Sequence, residues 1–438
     1  MKTLIATGSF IALVLSACQT SDPSSKGASA VPSLSVPSGR VSNYGISSGA
    51  GVEQLVSQAL RHHPSLIAAQ QKIVRLEARI PQARALPEAQ ARVSASSMAE
   101  TSHGGTDASI GVEQKIPFPG KRGALATTAR KEADAAKAEL DSLKLRLAEQ
   151  VRFAYWDYYL AWQTQRISRE NKEILKSIRE VVDARVRANQ ATQADVLRIT
   201  TETSRVDQQI ILARQQVASA RAALNALLNR PSTARLPAPK RSSVPSARSL
   251  NSLVTRAESS HPSVKAEQAR LDAFRSRLRT AKLGAYPDFF VGAQHSWNSD
   301  SSGMGGSDKN NQTMLTLGVT IPFWQEPRKA RIREARAGIA EMQASVSSSR
   351  AELRQRVADA WFRAKSSREM ITLFDQRLIP DAKQAQELSL QAYTAGTESF
   401  VDVLDTWRLF LQVQLQQEGN RTSLGKASAS LKSAAAIR

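Results

Sequence analysis

The sequence predicts a mainly α-helical protein with a smaller β portion, built as two copies of one large unit. Three short motifs occur twice, and the offset between copies is 198, 205 and 207 residues. The pairs are His63-Pro64-Ser65 with His261-Pro262-Ser263, Ile116-Pro117-Phe118 with Ile321-Pro322-Phe323, and Asp195-Val196-Leu197 with Asp402-Val403-Leu404. Such a unit is far longer than the ~20 to 50 residues of solenoid repeats, so we expect a pseudo-symmetric molecule with two long halves.

One very long helix is predicted in each half. From Pro119 to about residue 189 there is no further proline, and apolar residues recur at steps of three and four. This spacing is typical of a narrow, coiled-coil-like seam. The stretch 327–395 repeats the pattern, although Pro380 interrupts it and predicts a kink there. At ~1.5 Å per residue, each stretch makes about 100 Å of helix.

Shorter helices are predicted around the long ones. The segments are 65–86, 193–229, 249–259, 262–284 and 400–434. The segments 193–229 and 262–284 together hold 60 residues, so stacked end to end they nearly span one long helix. The first repeat covers 49–247, including a Pro-rich linker after residue 229, and the second covers 248–434.

Short alternating segments predict one β-hairpin in each half, at 90–117 and 286–322. Strands of about ten residues with one apolar face suit a transmembrane barrel. Four strands cannot close a barrel, however, and a barrel in lipid tolerates no open edge. Two interpretations therefore stay open: soluble hairpins, or one barrel shared by several chains. Aromatic residues near the strand ends favour the shared barrel; they are Phe118, Tyr286, Phe289, Trp297, Phe323 and Trp324.

The N-terminus predicts export and a lipid anchor. A basic residue and a short apolar run match a secretory signal, so residues 1–17 are excluded from reasoning about the fold. Cys18, the only cysteine in the chain, resembles the lipidated cysteine of bacterial lipoproteins. The alternative is an incidental cysteine within an ordinary signal peptide. Gln19, by the same resemblance, fits sorting to the outer membrane. Residues 18–48 are rich in Ser, Gly and Pro, which predicts a disordered tether.

Composition and motifs exclude several classes of function. The formal net charge is +21, but Lys and Arg are scattered along helical faces, which favours a solvated surface over nucleic-acid binding. Gly120-Lys121 lacks the remaining residues of a phosphate-binding loop, and no serine-hydrolase or zinc-protease motif occurs. The five histidines have no second ligand at metal spacing. We therefore expect no catalytic residues, no resident metal and no cofactor.

A conspicuous motif near the C-terminus carries a family resemblance. The stretch from Ala392 to Asp405, AYTAGTESFVDVLD, resembles the helical turn of the TolC-like outer-membrane factors. The resemblance covers about residues 50–430 and includes the duplication, the two hairpins and the long and short helices. It implies a homotrimer whose twelve strands form one transmembrane barrel in the outer membrane, continued by an α-helical periplasmic tunnel.

The same resemblance implies a function and partners. The chain would be a lipid-anchored exit duct that passively conducts substrate from an inner-membrane pump, of RND type, through a periplasmic adaptor protein. Heavy-metal cations are one candidate substrate. A type I secretion channel is an alternative within the family, and a non-porous, coiled-coil envelope lipoprotein is the alternative from another class.

Several residues at the helical turns take their roles from this resemblance. Asp402 and Asp405 would line the aperture of the duct, while Tyr393 and Asp195 would hydrogen-bond across the turn and hold it closed. The alternative is that the three aspartates only sit in first turns of helices, where the helix dipole favours them. Tight reversal of the chain suits Gly396 and Asn189, which tolerate positive φ. Glu398 stands where the family's best-known member has an arginine, so a latch made by that arginine is lost or rebuilt.

The segment after the first hairpin resembles the joint between barrel and helix in the heavy-metal branch of the family. Its residues include Pro117, Pro119 and Gly120, with Pro322 at the matching place in the second repeat. Prolines at these positions also have a plain structural explanation, because they end a strand and begin a helix.

Overall fold

A computed structural model describes residue 46 and residues 51–95, 105–241, 249–299 and 312–437. The predicted signal peptide, Cys18 and, apart from Ile46, the predicted tether lie outside the described residues. Ile46 packs against an apolar cluster of the first half.

The described part of the first half contains five helices and two strands. They are α1 (Val52–His62), α2 (Pro64–Glu77), α3 (Arg79–Arg84), β1 (Gln90–Ala95), β2 (Gly105–Ile116), α4 (Lys121–Arg187) and α5 (Gln193–Leu227). Helix α4 is continuous over 67 residues. It begins directly after Gly120, as expected of a stretch with no internal proline.

The second half repeats this order. Its elements are α6 (Leu250–Ser260), α7 (Pro262–Leu283), β3 (Asp288–Ser299), β4 (Gln312–Thr320), α8 (Gln325–Leu373), α9 (Ile379–Ala395) and α10 (Phe400–Ala434). The long helix of this half is interrupted, because Phe374–Leu378 form a π-helical segment that ends two residues before Pro380. Proline has no N–H to donate and its ring crowds the preceding turn, so regular α-helical hydrogen bonding cannot continue through it.

The duplicated His-Pro-Ser motif caps helices. His63 Nδ1 accepts a hydrogen bond from the backbone N–H of Ser65 at 3.3 Å, and His261 Nδ1 does the same for Ser263 at 3.1 Å. In both copies the proline occupies the first turn, where a missing N–H costs nothing. The two histidines therefore start α2 and α7.

The four strands form one antiparallel sheet in the order β1-β2-β3-β4, so β2 and β3 join the two hairpins. The register pairs Gln90 with Glu113 and Asp288 with Thr320. The chain thus enters or leaves α3, α4, α7 and α8 at the same end of the sheet. Among the described residues, β1 and β4 do not pair with each other, so each leaves an edge of the sheet unpaired.

The helices pack side by side along α4. Near the sheet, Ser276 of α7 donates to the carbonyl of Ala124 at 2.9 Å. Farther along, Ile178 and Val182 of α4 share a core with Ile199 of α5 and Trp407 of α10. Helices α7 and α5 therefore follow each other along α4, as the lengths of the segments predict. None of the described helices combines the length and apolarity needed to cross a bilayer.

Candidate functional site

Two turns that each connect a pair of helices lie together at the end of the helices away from the sheet. We call them the tip turns. The first tip turn is residues 188–192, between α4 and α5, and the second is residues 396–399, between α9 and α10. Each contains one residue with positive φ, Asn189 at 56° and Gly396 at 82°. A left-handed residue just after a helix lets the chain reverse, which is the role the sequence predicts for both.

Asp195 and Asp402 occupy equivalent places in the helices that follow these turns. Asp195 Oδ2 accepts from the backbone N–H of Thr192 at 3.1 Å and from its hydroxyl at 2.8 Å. Asp402 Oδ2 accepts from the hydroxyl of Ser399 at 2.6 Å, and Ser399 Oγ in turn accepts from the backbone N–H of Asp402 at 3.4 Å. Both aspartates therefore help to start a helix, while Asp402 also remains exposed.

A cluster of charges lies one to two turns beyond the aspartates. Arg408 of α10 makes a bidentate contact with Glu202 of α5, at 2.6 Å and 3.2 Å. Arg408 also donates to Asp405 at 3.0 Å, and Asp405 remains 62% exposed. The hydrogen bonds from Arg408 hold the pKa of the Glu202 carboxyl below its usual value, although burial of this carboxyl acts to raise its pKa. The cluster ties the two repeats together beside the tip turns.

Arg185, in the last turn of α4, joins the first tip turn to the end of α9, which leads into the second. Its guanidinium carbon lies 4.6 Å from the centroid of the Tyr393 ring, and its Nη1 donates to the backbone carbonyl of Tyr393. The same nitrogen reaches the carbonyl of Thr394 at 3.1 Å, and Nη2 reaches that of Gln190 at 3.3 Å. Carbonyls at the C-terminal ends of helices carry partial negative charge, which a guanidinium neutralises.

In the described protomer, Tyr393 and Asp195 do not make the hydrogen bond across the turn that the resemblance implies. The phenol oxygen of Tyr393 is buried and has no hydrogen-bond partner there, and Asp195 bonds to Thr192 instead. Burial raises the pKa of the Tyr393 phenol, and the nearby Asp195 carboxylate raises it further. Tyr393 therefore contributes its ring and its carbonyl to the turn.

Glu398 lies at the position where the sequence predicts that a latch is lost or rebuilt. It lies half-buried in the second tip turn, and its Oε2 has no hydrogen-bond partner among the described residues. The positive charge that links the turns comes from Arg185, which lies 208 residues before Tyr393 in the chain. The sequence does not single out Arg185, because a basic residue in the last turn of a helix is common and gives no sign of a distant contact.

The joint between sheet and helices contains a second charged contact. Asp288, the first residue of β3, accepts from the backbone N–H of Phe118 at 2.9 Å and from Lys121 Nζ at 2.6 Å. The rings of Phe118 and Tyr286 stack with centroids 4.5 Å apart. Asp288 thus fixes the start of α4 to the start of β3, a contact that the sequence analysis did not predict.

The predicted joint residues lie around this contact. Pro117 and Pro119 lie between β2 and α4, and Pro322 lies between β4 and α8. Gly120 has φ of 94° and precedes the first residue of α4. A Cβ at Gly120 would meet Leu283 at an ordinary distance of 3.5 Å, so its positive φ explains the glycine better than crowding does.

Within the described part of the chain, no group of three or more His, Cys, Asp or Glu side chains is arranged to hold a metal ion.

Two known proteins are similar to this chain over most of its length. The cobalt-zinc-cadmium resistance protein CzcC of Cupriavidus metallidurans is 24% identical over 375 residues, covering 84% of this chain and 85% of that protein. The pyoverdine export outer membrane protein OpmQ of Pseudomonas putida is 24% identical over 406 residues, covering 87% of this chain and 84% of that protein.

Solved structures of outer-membrane channels share the fold. OprN superposes with a TM-score of 0.75 at 18% identity, covering 88% of this chain and 89% of that one. VceC of Vibrio cholerae gives 0.73 at 18% identity, covering 88% and 95%. CusC gives 0.72 at 17% identity, covering 90% and 95%.

The family model described as outer membrane efflux protein matches two stretches of the chain, residues 55–230 and 253–436. These stretches make up most of the sequence and fall one in each half. The chain belongs to the outer membrane efflux protein family, and its function is that of an outer-membrane efflux duct.

Proposed function

We propose that three copies of this chain pair β1 of one copy with β4 of the next and close a twelve-stranded barrel in the outer membrane. The observation that carries this proposal is the separation of the two faces of the sheet. Leu315 of β4 aligns with Ala293 of β3, and Ala293 aligns with Val112 of β2, so apolar side chains share one face. Leu315 and Leu317 are 79% and 83% exposed. An apolar face of this kind suits contact with lipid.

The opposite face of the sheet is largely polar. Its residues include Gln90, Arg92, Ser94, Ser109, Glu113, Gln294, Ser296 and Thr316, which alternate with the apolar set along each strand. A polar lumen and an apolar exterior are what a water-filled barrel requires. The unpaired edges of β1 and β4 also need a partner, because lipid cannot satisfy open backbone groups.

The helices continue the barrel as a periplasmic tunnel, and the tip turns meet the adaptor and the inner-membrane pump. The duct itself is passive, and the pump selects the substrate. Heavy-metal cations are the first substrate class to test, because the similar protein CzcC is named for cobalt, zinc and cadmium resistance.

Fractionation of a Cys18→Ser variant tests the barrel. The barrel proposal expects the variant to stay in the outer membrane, to need detergent for extraction, and to run as a trimer that heating dissociates. A lipid-anchored scaffold would instead appear in the soluble periplasmic fraction once its acyl chains are absent. Wild-type protein released by removal of its acyl chains alone would likewise contradict the barrel.

A deletion strain tests the substrate class. Loss of the gene should increase sensitivity to cobalt, zinc or cadmium, and a plasmid copy should restore resistance. Unchanged metal tolerance would reject heavy-metal cations as the substrate, but it would not contradict the proposed duct.

A further inference from the structure

We propose that the helix ends next to the sheet form a collar of basic residues that binds the headgroups of anionic phospholipids at the membrane surface. The basic collar is residues 79–89, 117–131, 273–287 and 321–336, all within the described parts of the chain. The inference rests on the proposed barrel, since it needs the sheet to lie in a bilayer.

Strand register brings these four segments together. Ile116, the last residue of β2, aligns with Phe289 at the beginning of β3, and Asp288 aligns with Thr320 at the end of β4. Neighbouring strands lie about 4.8 Å apart, so the four joints fall within roughly 15 Å across the sheet. The segments therefore form one band at one end of the sheet, where a spanning sheet would leave the bilayer.

The collar holds most of the excess positive charge of the chain. Its 57 residues contain fifteen Lys or Arg and three Asp or Glu, a net charge of +12, against +21 for the whole chain. Around the tip turns, residues 179–206 and 381–408 contain seven Lys or Arg and nine Asp or Glu in 56 residues. The excess of positive charge is thus concentrated beside the sheet, and the opposite end has no such excess.

Many collar cations have no counter-charge among the described residues of their own protomer. Seven are exposed and make no ion pair with any described residue: Arg79, Arg84, Arg130, Arg279, Lys282, Arg331 and Arg336. Like charges packed this closely repel one another, so the folded chain gains stability when anions from outside the protein neutralise them.

Exposed aromatic side chains at the same level identify the partner as a membrane surface. Phe323 is 78% exposed, Trp324 is 83% exposed and Tyr286 is 50% exposed, all within the collar. Aromatic rings and basic side chains side by side suit the interface between hydrocarbon and headgroups, where the rings contact acyl chains and the cations contact phosphate. A small anionic solute would need the charges alone.

The experiment measures lipid enrichment around the full-length trimer. Purified protein is exchanged into mixed micelles of phosphatidylglycerol and phosphatidylcholine, and the retained lipids are quantified by native mass spectrometry. We expect phosphatidylglycerol to be enriched about fivefold or more over the bulk mixture, because each juxtamembrane cation favours anionic lipid. Raising NaCl to ~0.5 M should remove most of the enrichment, and this arm needs no variant. No enrichment at low salt, or enrichment unchanged by high salt, would overturn the proposal.

A pair of matched variants locates the effect. The collar variant carries R79Q, R84Q, K282Q, R331Q and R336Q, and the control variant carries K176Q, R187Q, R214Q, R350Q and R377Q at exposed positions outside the collar. The collar variant should lose the enrichment and the control should keep it. Equal enrichment in both would overturn the proposal, as would a collar variant that keeps its lipids but changes the anion selectivity of the pore. A wild-type channel that conducts ions without enriching phosphatidylglycerol refutes the collar and leaves the proposed duct standing.

Discussion

Arg185 near the end of α4 and Tyr393 near the end of α9, 208 residues apart in the chain, form a contact that joins the two helix ends leading into the tip turns. The guanidinium of Arg185 lies over the ring of Tyr393 and bonds to the carbonyl of the same residue. A Cβ at Gly396 would lie 3.6 Å from Arg185 Nη2, an ordinary contact distance, so the positive φ of 82° explains this glycine better than crowding does. The side chain of Arg185 therefore adds a direct link between the two turns to the Glu202–Arg408 contact beside them.

Arg185→Gln should loosen the tip turns and increase the single-channel conductance. The substitution removes a cation–π contact and hydrogen bonds to three carbonyls, together about 1–2 kcal/mol. Single-channel recording in planar bilayers measures the change. Arg187→Gln is the control, because it removes the same charge from the same helix end, where Arg187 is exposed. Equal conductance in the two variants would show that Arg185 does not restrain the turns.

Gly425→Ala should destabilise the trimer, whereas Gly419→Ala on the same helix should not. A Cβ at Gly425 would lie 1.9 Å from the Trp156 ring, but a Cβ at Gly419 would meet nothing within 4 Å. Overpacking costs about 1–3 kcal/mol, while alanine in an open helix position gains about 0.5–1 kcal/mol over glycine. Thermal unfolding followed by circular dichroism separates these outcomes. A Gly425→Ala protein as stable as wild type would contradict the close packing.

Glu202→Gln should lower stability by about 1–2 kcal/mol at neutral pH, because it removes the charged partner of Arg408. The folded-state pKa of Glu202 lies below its usual value, so the ion pair stabilises the fold above about pH 4.3. That contribution is lost as the pH falls through the lowered pKa. The difference in melting temperature between variant and wild type should therefore be full at pH 7 and shrink in strong acid.

Glu173→Gln is the control for this prediction, since Glu173 is exposed on α4 and makes no ion pair with the described residues. A Glu202→Gln difference that stays constant from pH 7 to strong acid would exclude the Glu202 carboxylate as its cause.

Asp402→Asn with Asp405→Asn should reduce the preference of the channel for cations over anions. Ser399 still caps α10, and an asparagine side chain can still accept from its hydroxyl, so the change tests charge and spares the turn. In a trimer the substitution removes six carboxylates, and rings of carboxylates favour cations. Reversal potentials in a salt gradient measure the preference. Glu369→Gln with Asp381→Asn removes two exposed charges elsewhere and should leave it unchanged. If the two double variants behave alike, Asp402 and Asp405 only support helices.

Local sequence patterns predicted the elements of the fold but not the contacts between them. The absence of proline after Pro119 predicted a helix that the structure shows as Lys121–Arg187, and Pro380 predicted an interruption that begins at Phe374. Periodicity shows which face of an element is apolar, not which distant element covers it. The pairing of β2 with β3 therefore came only from the structure.

In the candidate site, too, local features could be predicted from the sequence and contacts between distant residues could not. Positive φ at Asn189 and Gly396 follows from residue type and position, and both were predicted. The contact between Glu202 and Arg408 joins residues 206 positions apart, and it depends on the packing of α5 against α10. Arg185 likewise reaches the second tip turn only because two repeats fold side by side.

Conductance of the purified wild-type trimer tests the central claim most directly. Full-length protein is reconstituted in a planar bilayer at known salt, with trimer assembly and helix content verified beforehand. Closure of three sheets into a barrel predicts discrete, stable steps of ion conductance that scale with salt concentration. Well-folded trimers that insert into the bilayer and give no conductance, also with Arg185→Gln to loosen the tip turns, would contradict the account.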